Sequence, residues 1–141
     1  MTAPAPIAML AELTYRCPLS CPYCSNPVEM AAREKEISTE LWVDVFRQAA
    51  GLGVLQLHLS GGEPASRRDL VDLVAGARDA GLYTNLITSA IGLTQRRLAE
   101  LDAAGLDHVQ LSLQGTDADM ADRIGGYKGG FKRKMQAAAW I

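Results

Sequence analysis

The chain's only three cysteines, Cys17, Cys21 and Cys24, fall within eight consecutive residues. An odd number crowded onto one short segment is not a disulfide framework; three thiolates so placed read as a metal or cluster site. Zinc in a closed tetrahedral site takes a fourth ligand. The two histidines, His58 and His108, lie far along the chain in strand-like runs. Iron–sulfur clusters also normally take four cysteines. A [4Fe–4S] cube held by these three would therefore leave one iron open to an outside ligand. A zinc knuckle and a redox-active thiol group are the alternative readings of the same residues.

The elements around the cysteines follow from apolar spacing. Ile7–Thr14 reads as a strand, and the segment after it carries Pro18, Pro22 and Pro27, which forbid regular structure. Ser38 is a natural N-cap, with Ile37 placed to staple onto Trp42, for a helix whose apolar face is Leu41, Trp42, Val45, Phe46 and Ala49 and which ends at Gly51 and Gly53. Val54–Ser60 is a second strand, with Leu55, Leu57 and Leu59 on one face and Gln56, His58 and Ser60 on the other. The turn Gly61–Gly62–Glu63–Pro64 follows. A helix over 67–80 buries Leu70, Val71, Val74 and Ala77. A strand over 82–88, a helix capped by Thr94 and stopped at Gly105, and a strand over 108–113 complete four alternations. A short helix over 117–124 and one from Phe131, cut short by the chain end, come last.

Alternation at βαβ intervals predicts a parallel sheet with helices on its outer face. The second and fourth strands each carry one polar face. That pattern fits a curved, barrel-like sheet with a polar lumen better than a flat sheet covered on both sides. Ligands in such folds sit at the C-terminal ends of the strands. The cysteine segment, Gly61–Gly62–Glu63–Pro64, Ser89 and Gln114 each follow a strand, so all four are expected on one rim.

Composition narrows the class. The chain has 141 residues, 48% of them hydrophobic, enough for one domain with its own core and too apolar for disorder. A net charge of -2 leaves no electrostatic footprint for nucleic acid. No run reaches the ~18 apolar residues of a membrane span, and residues 1–10 lack the basic start of a signal peptide. A cytoplasmic location, with no membrane and no nucleic-acid partner, is the expectation.

Cys17-Pro-Leu-Ser-Cys21-Pro-Tyr-Cys24 resembles the CxxxCxxC signature of the radical S-adenosylmethionine (SAM) enzymes, and Gly61–Gly62–Glu63–Pro64 is similar to their second motif, one βα unit later. The segments over 11–27, 55–64, 83–89 and 105–112 narrow the likeness to the radical SAM enzymes of pyrroloquinoline quinone (PQQ) biosynthesis. The resemblance implies that Cys17, Cys21 and Cys24 hold a [4Fe–4S] cluster whose open iron chelates SAM. Reductive cleavage of SAM then yields a 5′-deoxyadenosyl radical. Tyr23 would lie near the adenine. Gly61, Gly62 and Glu63 would take the methionyl ammonium end. Ser89 stands where many relatives have an asparagine that contacts the ribose, and Gln110 and Ser112 would face SAM or substrate from the lumen. His58 reads as lumen filling, and Arg123 as a solvated helix face.

The same resemblance implies the activity, a Glu–Tyr carbon–carbon cross-link made in a PqqA-like precursor peptide presented by a PqqD-like peptide chaperone, with a flavodoxin-type external electron donor. It implies an α/β fold, a partial (β/α)6 barrel of which residues 1–141 supply the first four βα units. The strands that close the barrel and the cysteine-rich SPASM domain are expected to be absent. This stretch alone is then expected not to cross-link peptide, and its open barrel edge invites self-association.

Overall fold

The computed structural model describes residues 4–25 and 35–141; the break assigned above to Pro27 lies outside them. The elements in chain order are β1 (Ala8–Glu12), α1 (Thr39–Gly51), β2 (Gln56–Ser60), a 3₁₀ turn (Pro64–Ser66), α2 (Leu70–Asp79), β3 (Tyr83–Thr88), α3 (Gln95–Ala104), β4 (His108–Leu111), α4 (Ala118–Gly125) and α5 (Gly130–Ala138). The four strands form one parallel sheet in the order β1-β2-β3-β4. Sequential order with parallel pairing is what right-handed βαβ crossovers stacked on one side produce.

Local signals set the element ends. The Ser38 hydroxyl accepts from the Leu41 amide, Thr94 from Arg97 and Asp117 from Met120, each satisfying an orphan amide of a first helical turn. Gly105 and Gly126 close α3 and α4 in the left-handed conformation. Helix α5 runs over Gly130–Ala138 with Ala139 as its cap, and the Ile141 amide bonds back to the Ala137 carbonyl at 3.2 Å.

The register separates the two faces of the sheet. Leu57 lies beside Met9 and Thr84, and Leu59 beside Ala11 and Leu86; this row faces the helices. Leu57, Leu59 and Leu86 are wholly buried, together with Phe46 of α1, Leu70, Leu73 and Val74 of α2 and Leu101 of α3. Each fully buried leucine removes enough apolar area to stabilise the fold by about 2–3 kcal/mol. The opposite row, Leu10, His58, Asn85 and His108, has no helix over it among the described residues.

Three apolar positions depart from the sequence pattern. Leu41, Leu55 and Leu113 are exposed, although periodicity assigned them inward. Leu55 precedes the start of β2 and Leu113 follows the end of β4, so neither sits on the pleat. Leu41 is in the first turn of α1; Leu73 of α2, absent from the sequence-based list, is fully buried.

Candidate cofactor site

The loops after β1, β2, β3 and β4 meet at the C-terminal rim. Cys17, Cys21, Tyr23 and Cys24 line one cleft of about 360 Å³ together with Gly61, Gly62, Ser89, Ser112 and Gln114. The convergence predicted from strand order is therefore present. Gln110 and Glu63 are not among the cleft-lining residues; on the open face the Gln110 side-chain oxygen accepts from Asn85 at 3.4 Å. Ser112, two residues on, reaches the rim.

The floor of the cleft rests on a crossing of two loops. The Gly62 amide donates to the Thr14 carbonyl at 2.6 Å and the Glu63 amide to the Arg16 carbonyl at 2.7 Å. A Cβ on Gly61 would stand 2.3 Å from the Thr14 carbonyl oxygen, and one on Gly62 would stand 2.4 Å from that of Arg16. Gly61 also has φ +126°, a conformation that L side chains rarely adopt. The glycines thus admit the backbone of the segment that launches the cysteines, as well as leaving room above for a ligand.

Glu63 is turned into the protein. Its carboxylate is fully buried and accepts from the Ala65 amide (2.9 Å), the Thr88 hydroxyl (2.6 Å), the Ser89 amide (2.7 Å) and the Ser89 hydroxyl. Such a set of donors compensates the cost of burying the carboxylate. The Ser89 hydroxyl given to Glu63 is thereby engaged within the fold. The next residue, Ala90, is the one non-glycine with positive φ (59°) among the described residues, and its amide bonds the Thr88 hydroxyl at 2.9 Å. This strained turn aims the Ser89 amide at Glu63.

A second brace lies below. Arg67, only 5% exposed, donates to the carbonyls of Leu13 (2.9 Å) and Ile37 (3.1 Å) and pairs with Asp69 at 2.6 Å. It thereby joins β1, the start of α1 and the turn before α2. The Arg67 guanidinium, aided by the Thr39 hydroxyl, holds the Asp69 carboxyl down to about 2 against the opposing effect of burial. Glu36 accepts from Thr14 and from Arg16. Burial works to raise its pKa, and these bonds with the Arg16 and Arg67 charges outweigh it, so the net direction is down.

Burial pushes the Cys17 thiol up, with Glu63, Cys21 and Cys24 adding to the rise and a backbone hydrogen bond from Leu19 opposing it. On the β4 side, Lys134 of α5 is buried at 2% exposure, its ammonium donating to the Ser112 carbonyl at 2.9 Å and to the Gln114 side chain. Burial lowers its pKa, opposed by the charges of Cys21, Glu63, Cys17 and Asp122. Sequence reading passed over Lys134, Arg67 and Thr88. The signal for Lys134 was available: it lies four residues after Gly130 and three before Ala137, on the one buried stripe of α5.

Among the described residues no three of His, Cys, Asp and Glu stand close enough to hold a single metal ion. A zinc knuckle needs that convergence; a four-iron cube does not, because each thiolate binds a different iron. Three thiols around one cleft, beside an open wall of glycines, fit the cube. His58 and His108 are engaged elsewhere: both ring Nδ1 atoms bond the Asn85 amide, at 3.0 and 2.8 Å.

Parallel βα units carrying a three-thiol rim beside a glycine loop define a class of cluster-dependent SAM enzyme. The Radical SAM superfamily model matches residues 11–141, and the chain belongs to that superfamily. A [4Fe–4S] cluster and SAM are the cofactors this membership implies. The chain is 70% identical over all 141 residues to the PqqA peptide cyclase of Ruegeria pomeroyi, covering 38% of that protein. It is 65% identical over 135 residues to that of Rhizobium meliloti, covering 96% of this chain and 36% of that protein. The chain thus spans little more than a third of the length of these relatives. In structure it is similar to Streptococcus suis SuiB bound to the precursor peptide SuiA (TM-score 0.83, 24% identity, 96% of this chain and 30% of that one). It is also similar to anSMEcpe with bound AdoMet (TM-score 0.74, 17% identity, 96% and 40%). These two likenesses speak to the fold.

Proposed function

We propose that this chain is the cluster- and SAM-binding part of a PqqA peptide cyclase. The observation that carries the reading is that the cysteine segment and Gly61–Gly62 line one cleft. Identity of 70% to a named cyclase supports the substrate class, a PqqA-like precursor peptide to be cross-linked between glutamate and tyrosine. When bound, the cluster and SAM supply a 5′-deoxyadenosyl radical by one-electron reductive cleavage.

Within this reading Cys17, Cys21 and Cys24 are the cluster ligands. The raised Cys17 pKa means that loading displaces a proton, so loading is favoured as pH rises. Gly61 and Gly62 present backbone to the methionyl end of SAM. Tyr23 lies along the adenine, and Ser112 edges the substrate side. Glu63, Thr88 and Ser89 act through one another: they fix the glycine loop against β3. The apolar core beneath the rim keeps water from below, which a carbon radical requires. A PqqD-like chaperone, a flavodoxin-type donor and a reducing cytoplasmic setting belong to the same reading. So does placement of residues 1–141 as the first part of the barrel, with β4 as the edge to which a further strand or a second copy adds.

Anaerobic reconstitution with iron and sulfide tests it. A brown protein whose broad visible absorption bleaches with dithionite is expected, and a colourless zinc-loaded one would overturn the reading. Mass spectrometry of a PqqA-type peptide incubated anaerobically with the full-length enzyme, SAM and a one-electron reductant then tests the substrate: loss of two hydrogens at the Glu–Tyr pair is expected.

A further inference from the structure

Lys134 is a buried cation without a carboxylate partner. None of the ion pairs among the described residues includes it. Its ammonium bonds two neutral oxygens, the Ser112 carbonyl and the Gln114 side chain. Removing an ammonium from water against neutral dipoles alone is costly, and folds keep such a group where an anion repays it.

The anions that act on Lys134 are at the cofactor rim. Its strongest opposing charges are Cys21, Glu63 and Cys17, with Asp122 a lesser one. Glu63 is already satisfied by four donors from Ala65, Thr88 and Ser89. Asp122 is occupied in capping α5, accepting from the amides of Gly129 (2.5 Å) and Phe131 (2.8 Å). That leaves the charges of Cys21 and Cys17. Both acceptors of Lys134 belong to residues that line the cysteine cleft, so the charge sits directly behind its wall.

We propose that Lys134 is a positioning residue for the cluster. It fixes the Ser112–Gln114 wall and supplies the positive charge that offsets the anionic thiolate-bound cube. This rests on the reading of the cleft as a [4Fe–4S] site. Every electron added makes that assembly one charge more negative, so a fixed cation favours the reduced form, and more so in a low-dielectric wall.

Redox titration of the reconstituted protein, without SAM, tests the proposal. Lys134→Gln keeps a polar group for the two acceptors and removes the charge; Lys134→Met removes both; Lys134→Arg keeps the charge. The cluster midpoint potential is expected to move to more negative values in the Gln and Met variants and to stay near the original in the Arg variant, with iron content unchanged. An unchanged potential in a folded, cluster-loaded Gln or Met variant overturns the proposal. Unchanged potential with weakened SAM binding would also overturn it, assigning the charge to the SAM carboxylate. Absence of any cluster in the unsubstituted protein would instead refute the cleft reading itself.

Discussion

The two faces of one sheet differ in kind. On the helix side Leu57, Leu59 and Leu86 are at zero exposure and belong to the apolar core cluster. On the other side Leu10 is 57% exposed, Tyr83 is 47% exposed, and His58, Asn85 and His108 join in a hydrogen-bonded row across three strands. The first face is where burial stabilises the fold. The second is polar, open and held by bonds that water could replace, as the lumen of a cofactor-bearing barrel requires. The rim joins them: Glu63 is buried and satisfied like a core group, while Ser89, Ser112 and the cysteines line the cleft.

Substitutions should separate these regions by size of effect. Leu57→Ala removes a fully enclosed side chain and is expected to cost about 2–5 kcal/mol, while Leu10→Ala on the open face stays within about 0.5 kcal/mol; urea unfolding of the two variants tests the contrast. Equal losses would erase the distinction between the faces. At the rim, Gly62→Ala drives a Cβ into the Arg16 carbonyl. Overpacking against backbone is expected to cost roughly 1–3 kcal/mol and to block cluster loading, read as lost visible absorption after reconstitution. Glu63→Gln places an amide N–H among donors and is expected to cost about 1–3 kcal/mol. The same substitution with unaltered stability but abolished SAM binding would make Glu63 a direct ligand rather than a brace.

The pH response sharpens the comparison further. Asp69 is depressed from 3.8 to about 2 by the Arg67 guanidinium and Thr39. A carboxyl with a lowered folded-state pKa contributes stability above its unfolded value, and that contribution fades as pH falls from near 4 toward 2. Asp69→Asn is expected to lose about 1–2 kcal/mol at pH 6 and to flatten the acid limb, seen in unfolding midpoints between pH 6 and pH 2.5. The smallest effect belongs to the polar face: Asn85, 7% exposed, bonds His58, Gln110 and His108, and Asn85→Ala is expected to cost about 0.5–1.5 kcal/mol, read from urea unfolding.

Much of this was legible in the sequence. Cys17, Cys21 and Cys24 marked a metal or cluster site by type and spacing, and the family resemblance pointed to a [4Fe–4S] cluster. Ser38, Thr94 and Asp117 declared helix starts because capping is decided within three residues. The alternation of strands gave a parallel sheet and hence a shared rim for loops after each strand. These are short-range or topological facts, and chain order alone settles them. What the sequence left open was the fate of side chains whose partners are distant. Glu63 was read as a cofactor contact, and its bonds to Thr88 and Ser89, 25 and 26 residues away, could not be read from the motif. Gln110 was read as a lumen contact to SAM or substrate, and its bond to Asn85 was not legible in the sequence. Gly61 and Gly62 looked like space for a cofactor and are also space for Thr14 and Arg16. Arg67 and Lys134 carried no motif at all. Their roles come from burial, which turns a charge from a solvated ornament into a group that must find partners, and only the assembled tertiary structure decides which partners are within reach.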